Sequence, residues 1–241
     1  MAKKIIDAAK KEKRKKLRKK ILKITLTAII LFLINLYIIL GIIYKGENFT
    51  VTLDSEYGRE SGLVIYENPD DIKERTYLKS EQIDYFTDIS VNWLPKDIDD
   101  GGNGSHNGKD YIAYTFYASN FGQETINYWA TIEIDDSIKN VDEAIRVMVI
   151  KNGNRVIYAK KNRTTGENEK DTTAFYDDKI VMLEENKEFK VDDTDKYTIV
   201  IGVEGDDPDC TDELIGGEIK MHMRLTEQHL DKNADTNENE K

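Results

Sequence analysis

The sequence predicts a mainly β protein in which one N-terminal transmembrane helix precedes an antiparallel β-sandwich of the jelly-roll or immunoglobulin-like kind. Three observations predict it. Residues 24–44 (ITLTAIILFLINLYIILGIIY) carry no charge. After them, short runs of Ile, Val, Tyr and Thr alternate with polar residues and are broken by Gly, Asn and Asp. Beyond the first helix no long helical periodicity is present.

The 21 residues from Ile24 to Tyr44 cover about 30 Å as a helix at about 1.5 Å per residue, the thickness of a bilayer's hydrocarbon core. Residues 1–23 hold twelve Lys and Arg against Asp7 and Glu12, a local net charge of +10. Lys45 adds one, and the whole chain is −11, which leaves −22 for residues 46–241. Short basic flanks stay cytoplasmic. Residues 1–23 are therefore expected as a basic cytoplasmic segment, 24–44 as the membrane helix and 45–226 as an extracellular sandwich. Residues 227–241, poor in apolar side chains, are expected as a disordered acidic tail.

The apolar run exceeds a secretory h-region of about 7–15 residues. Ile42, Ile43 and Tyr44 put bulk where a signal peptidase needs small residues, so the segment reads as an uncleaved signal-anchor. Ile24, Asn35 and Tyr44 are expected membrane contacts. Asn35 is the one strongly polar residue in the span; it bonds either to a second helix, favouring self-association, or to its own backbone. The cations before the span are placed against anionic headgroups, each worth about 1 kcal/mol near the surface. Abutting a membrane span, they read as a topology determinant and not as a nucleic-acid site.

Strands follow in order. Phe49–Leu53, Gly62–Tyr66 and Ile89–Trp93 are short candidates. In Tyr111–Ala118, Ile112, Tyr114, Phe116 and Ala118 share a face; in Thr125–Ile134, Ile126, Tyr128, Ala130, Ile132 and Ile134 do so, opposite Asn127, Trp129 and Glu133. Ser119–Glu124 between them reads as a hairpin connection. Ile145–Ile150 and Arg155–Lys160 flank Lys151-Asn152-Gly153-Asn154, where Asn-Gly supplies positive φ for a hairpin turn. Lys179–Leu183 is a further candidate, and Tyr197, Ile199, Ile201 and Val203 share a face. In Glu218–Leu225, Ile219, Met221, Met223 and Leu225 face one way and Glu218, Lys220, His222 and Arg224 the other. Helical turns are expected near Lys79–Phe86 and Val141–Ala144. A parallel sheet needs crossover helices, and none is visible. Asp97–Asp110 (DIDDGGNGSHNGKD) and Lys160–Asp171 (KKNRTTGENEKD) read as a mobile loop and a projecting turn.

Little chemistry is signalled. The single cysteine, Cys210, reads as a partly buried turn residue, and an exterior without disulfides suits a bacterial surface. His106, His222 and His229 stand in no metal-ligand spacing, and no nucleophile elbow, phosphate loop or dinucleotide fingerprint is present. In Glu204–Glu213 (EGDDPDCTDE), Asp206, Asp207, Asp209 and Asp212 are the candidate ligands for Ca²⁺; the favoured reading is a solubilised connection built by Gly205 and Pro208, and no cofactor is expected.

Tyr197–Met223 (YTIVIGVEGDDPDCTDELIGGEIKMHM) and Tyr111–Asn140 resemble uncharacterised single-pass surface proteins of clostridia. More distantly the chain is similar to the camelysin/TasA-like family of bacterial matrix proteins. The resemblance implies a jelly-roll-like domain after an export segment; it brings no catalytic residue, and the missing cleavage site departs from the matrix family. The expected function is a non-enzymatic, membrane-anchored surface protein presenting its acidic sandwich for binding, adhesion or envelope assembly, with Trp129 and the two polar loops as contact points. Two alternatives stand: a polymerising matrix-fibre subunit donating Phe49–Leu53, and an accessory subunit of an envelope-spanning machine contacting partners around Asn35. Membrane lipids are the expected partner of residues 1–44, with protein partners or self-association beyond.

Overall fold

The computed structural model describes residues 2–44, 48–54, 62–83, 85 and 87–228. The chain divides into two compact units, Met1–Gly46 and Glu47–Lys241. In the first, one helix, α1, spans Ala2–Tyr44. It holds good helix formers and no Pro.

The second unit is mainly β. Its twelve strands among the described residues are β1 (Phe49–Leu53), β2 (Leu63–Tyr66), β3 (Tyr77–Lys79), β4 (Gly104–Ser105), β5 (Ile112–Asn120), β6 (Ile126–Ile138), β7 (Ile145–Lys151), β8 (Asn154–Ala159), β9 (Thr173–Ala174), β10 (Ile180–Phe189), β11 (Thr194–Val203) and β12 (Glu218–Gln228). One sheet runs β10-β6-β12-β1-β3; the other runs β2-β5-β11-β7-β8-β9, with β4 on β5. The inward faces meet in one core in which the predicted alternation is found. Ile112, Tyr114, Phe116 and Ala118 face Ile126, Tyr128, Ala130, Ile132 and Ile134 across it, with Tyr197, Ile199 and Ile201, and with Ile219, Met221, Met223 and Leu225. Phe49 packs edge-on to Tyr114 at 6.1 Å, and Phe116 stacks on Tyr197 at 5.3 Å.

Several expectations are corrected. The sheets are mixed, not purely antiparallel: β1 runs parallel to β12, and β8 to β9. No crossover helix is needed, because the first parallel pair joins the two ends of the domain and the second has the 160–172 loop between its strands. β1 fills a place in its own sheet between β12 and β3. β5 and β6 do not form a hairpin; β5 pairs with β11 and β2, while β6 pairs with β10 and β12 in the other sheet. Ser119–Glu124 is an arch between sheets, tied by Asn120, whose Nδ2 donates to Glu124 O at 2.9 Å and Phe189 O at 3.0 Å. The β7–β8 hairpin stands as expected, with Asn152 at φ 51° and Gly153 at φ 81°. Val91–Trp93 is a 3₁₀ turn rather than a strand; of the helical turn expected near Lys79–Phe86, Lys79 ends the strand Tyr77–Lys79, and residues 80–83 and 85 are not helical. Asp84 and Phe86 lie outside the described residues. Val141–Glu143 is the expected turn. β12 extends through Glu227 and Gln228, so the expected tail loses its first two residues; residues 229–241, with His229, lie outside the described residues.

The loop Asp97–Asp110 is packed, not free. Ile98, 3% exposed, seats on Ala113, Met148, Ile150 and Val200. His106 Nε2 meets Thr115 Oγ1 at 2.9 Å, and Asn107 Oδ1 accepts from Ala113 N at 2.9 Å. The second sheet is thereby covered on its outer face over β5, β11 and β7, which is why Thr115 and Thr198 of β5 and β11 are fully buried and bonded to each other at 2.7 Å. The first sheet keeps a wet outer face, where His222 bonds Asp135 at 2.7 Å and Arg224 lies 3.6 Å from Glu133.

Gly62 is fixed by the arch. It has φ +93°, and a Cβ there would stand 2.1 Å from the backbone of Gly122. Gly62→Ala is expected to cost about 2–3 kcal/mol through strain and overlap, read from the denaturant midpoint at unchanged slope.

Candidate functional site

The N-terminal helix is apolar on all sides over its second half. From Leu26 to Ile39 every Leu, Ile and Phe is exposed, Phe32 at 67%. Within Lys13–Ile39 the helix has an 18-residue window of mean hydropathy 2.2, long and apolar enough to cross a membrane. Polar groups within it are satisfied locally: Thr25 and Thr27 hydroxyls donate to Ile21 O and Lys23 O, and Asn35 Nδ2 donates to Leu31 O at 2.9 Å. Asn35 thus makes the local bond of the two expected. Ile24 is 60% exposed; the side chain of Tyr44 lies outside the described residues.

The acidic loop between β11 and β12 is not a ligand cage. Asp207 is buried and lies 2.6 Å from Arg146 Nη2, while its Oδ1 accepts from Asp209 N at 2.8 Å. Buried Glu204 accepts from Val91 N at 2.9 Å and Asp206 N at 3.2 Å. Asp209 accepts from Arg163 N at 3.3 Å, and Asp206 and Asp212 are exposed. Among the described residues no three His, Cys, Asp or Glu side chains gather as a metal site, so the four candidate calcium ligands are not brought together. Asp207 and Asp209 serve Arg146 and backbone amides, while Asp206 and Asp212 are exposed. Half-buried Cys210 has its thiol pKa pushed up, first by burial and then by Asp88, Asp207 and Glu204, which keeps it protonated and a poor nucleophile.

A polar cluster between the sheets had no forewarning. It is built at one end of the core by β7, β11, β6 and β10. Lys151 follows Ile145, Val147 and Val149 in the inward phase of β7, and Asp195 precedes Tyr197, Ile199 and Ile201 in the inward phase of β11. Asn186 of β10 is paired with Tyr128 of β6. Lys151 Nζ donates to Asn186 Oδ1 and lies 3.3 Å from Asp195 Oδ2. Tyr128 OH donates to the same Asp195 oxygen and is 2.8 Å from Tyr197 OH. Asn152 Nδ2 holds Asp195 Oδ1 at 2.6 Å. The Lys151 nitrogen stands over both tyrosine rings, 5.8 and 5.7 Å from their centres, and Phe189 closes on Tyr128 at 5.1 Å. Burial drives both phenols far above the ordinary range, with Asp195 adding to it in each case.

No family model, curated protein or solved structure matches this chain. The site is therefore read from its own geometry: an amine, a carboxamide and a carboxylate held together by a rigid scaffold, out of reach of bulk water on the Asn186 side, which is 8% exposed. The one sequence signal for it is a charged side chain in phase with apolar ones at the end of a strand.

Trp129 sits half-buried on the outer face of the first sheet. The loop at 160–171 reaches the β11–β12 connection through Arg163, beside an open groove of about 420 Å³ that also carries Lys139, Glu143 and Asp209.

Proposed function

We propose that this chain is a single-pass membrane protein of a bacterial cell surface, its N-terminus cytoplasmic and its β domain extracellular, serving as a non-enzymatic module for binding, adhesion or envelope assembly. One observation carries the reading. The helix from Leu26 to Ile39 has apolar side chains all round and none of them buried, and a helix apolar on every side needs lipid or protein around it. At about 1.5–3 kcal/mol per large apolar side chain, leaving it in water is prohibitive. The cations of residues 13–23 stand at one end of it, and short basic flanks stay on the cytoplasmic side, which supports this direction of insertion. The domain then offers partners a net-acidic surface, which favours cationic ones.

Protease shaving of intact cells, with N-terminal sequencing of the retained and released products, tests it. The expected result is a cell-bound fragment that begins at the natural N-terminus and a released fragment that begins shortly after Tyr44. A domain that is digested only after lysis overturns the topology. A domain found in the medium without protease overturns the anchor.

A further inference from the structure

We infer that Lys151 and Asn186 become joined by an intramolecular isopeptide bond between Nζ and Cγ, with Asp195 moving the protons. The inference does not depend on which side of a membrane the domain occupies.

The two residues come from opposite sheets, Lys151 from β7 and Asn186 from β10. Both point into the core, and the lysine nitrogen already contacts the carboxamide oxygen. Each side chain is held by neighbours other than its partner. Asn186 Nδ2 reaches Tyr197 OH at 3.5 Å, and Glu184 Oε1 lies 3.7 Å from Lys151 Nζ. Asp195, 3.3 Å from the nitrogen, is itself locked by Tyr128 and Asn152. Fixing an amine against an amide carbon in this way supplies the effective concentration that an amide exchange lacks in solution. The tyrosine rings and Phe189 limit the water that competes for the carbonyl.

The step balances without any co-reactant. The Lys151 ammonium gives a proton to the Asp195 carboxylate, leaving a neutral amine and a carboxylic acid. The amine lone pair attacks Asn186 Cγ, while the acid donates to Oδ1 as charge develops there. In the tetrahedral adduct a proton from Nζ passes through Asp195 to Nδ2. The Cγ–Nδ2 bond breaks, the carbonyl re-forms, and nitrogen departs as ammonium, leaving Asp195 ionised as it began. One C–N bond is exchanged for another, and the chain becomes lighter by one ammonia.

Covalent joining of β7 to β10 closes the sandwich across its two sheets at the end where Asn152 and Asp195 meet. With Cys210 the single cysteine, no intrachain disulfide can join the two sheets.

The test uses the full-length chain, extracted from its membrane in detergent, denatured and digested with trypsin. Lys151 in amide linkage resists trypsin, so residues 147–155 (VMVIKNGNR) are expected as one peptide joined to residues 180–187 (IVMLEENK). Tandem mass spectrometry should show the branch at Lys151 and Asn186, one ammonia below the summed masses. Recovery of 147–151 as a free peptide with 180–187 at full mass overturns the inference and leaves a non-covalent cluster. An ammonia loss confined to a linear 180–187, as a succinimide gives, overturns it equally. Lys151→Arg and Asn186→Ala should yield only linear peptides. Asp195→Asn should lower the branched fraction at least tenfold; an undiminished fraction in that variant overturns the role of Asp195.

Discussion

Replacing Arg146 by Leu is expected to destabilise the β domain by about 3–5 kcal/mol, the cost of stranding a buried charge after its partner is removed. Arg146 lies on the outer side of β7, paired with Gly202 on β11 and Ala159 on β8. Those small neighbours leave room for a guanidinium within the sheet surface. The loops after β8 and β11 then fold over it, bringing Glu169 to 3.9 Å and Asp207 to 2.6 Å. The Arg146 and Asp207 side chains keep 7% and 1% of their exposure, so solvent screening does little to soften the loss. With Leu at position 146, Asp207 retains only the Asp209 amide on its Oδ1. Buried Glu204 stands three residues away in the same turn. For a domain of this size the melting point should fall by roughly 6–20 °C, at about 2–4 °C per kcal/mol. The double variant Arg146→Leu, Asp207→Leu removes both charges and should recover most of the loss, since a buried pair is worth little against apolar replacements. A single variant that melts within 2 °C of the parent, measured on the full chain in detergent, would show that the pair is not sequestered as described.

The sequence made the inward face of each strand legible and left the strand's neighbour illegible. Alternation in Ile112–Ala118 and Ile126–Ile134 identifies which side chains enter the core, because a slip of one residue would expose them all. It says nothing of whether two such strands lie side by side or face each other. The stretch 119–124 could serve either as hairpin or as arch, and Asn120 decides for the arch by bonding backbone on both sides of the turn. The loop Asp97–Asp110 misled by composition: one Ile among acids and glycines seats on the outward side chains of β5, β7 and β11. The acidic run Glu204–Glu213 misled in the opposite sense, since Glu204, Asp207 and Asp209 serve backbone amides and one distant arginine. The Lys151 cluster was hidden for a further reason. Lys151 reads as the first residue of a turn, Asn186 falls beyond a strand expected to end at Leu183, and Asp195 precedes one expected to begin at Tyr197. Polar residues terminate an apolar pattern on paper. In the fold the strands continue, and those same residues meet inside.

Alkali should unfold the domain in a steep transition, governed by phenols that the core keeps protonated. Tyr114, Tyr128 and Tyr197 are fully buried. Burial raises all three far above the ordinary value; Glu67, which accepts from Tyr114 OH at 2.5 Å, adds to the first, and Asp195 adds to the other two. In the unfolded chain each ionises near pH 10. Between that pH and the folded values the native state therefore holds about three more protons than the unfolded state. Stability then falls as pH rises, by about 4 kcal/mol per pH unit for three groups. The contribution is whole below the unfolded pKa and is lost above it. Lys160 acts in the same direction: burial works against its charge, but hydrogen bonds and proximity to Asp142 and Glu143 raise its pKa overall, so its contribution too is lost as pH climbs. With a total stability of about 5–15 kcal/mol, unfolding is expected within about one to four pH units above 10. Tyrosinate absorbance should include an abrupt rise coincident with loss of the β-sheet circular dichroism signal, as the buried phenols of Tyr114, Tyr128 and Tyr197 are released. Tyr114→Phe should flatten the dependence by about a third, because one of the three retained protons is gone. If all thirteen tyrosines titrate together near the free value while the sheet signal persists, the three phenols are not enclosed between the sheets.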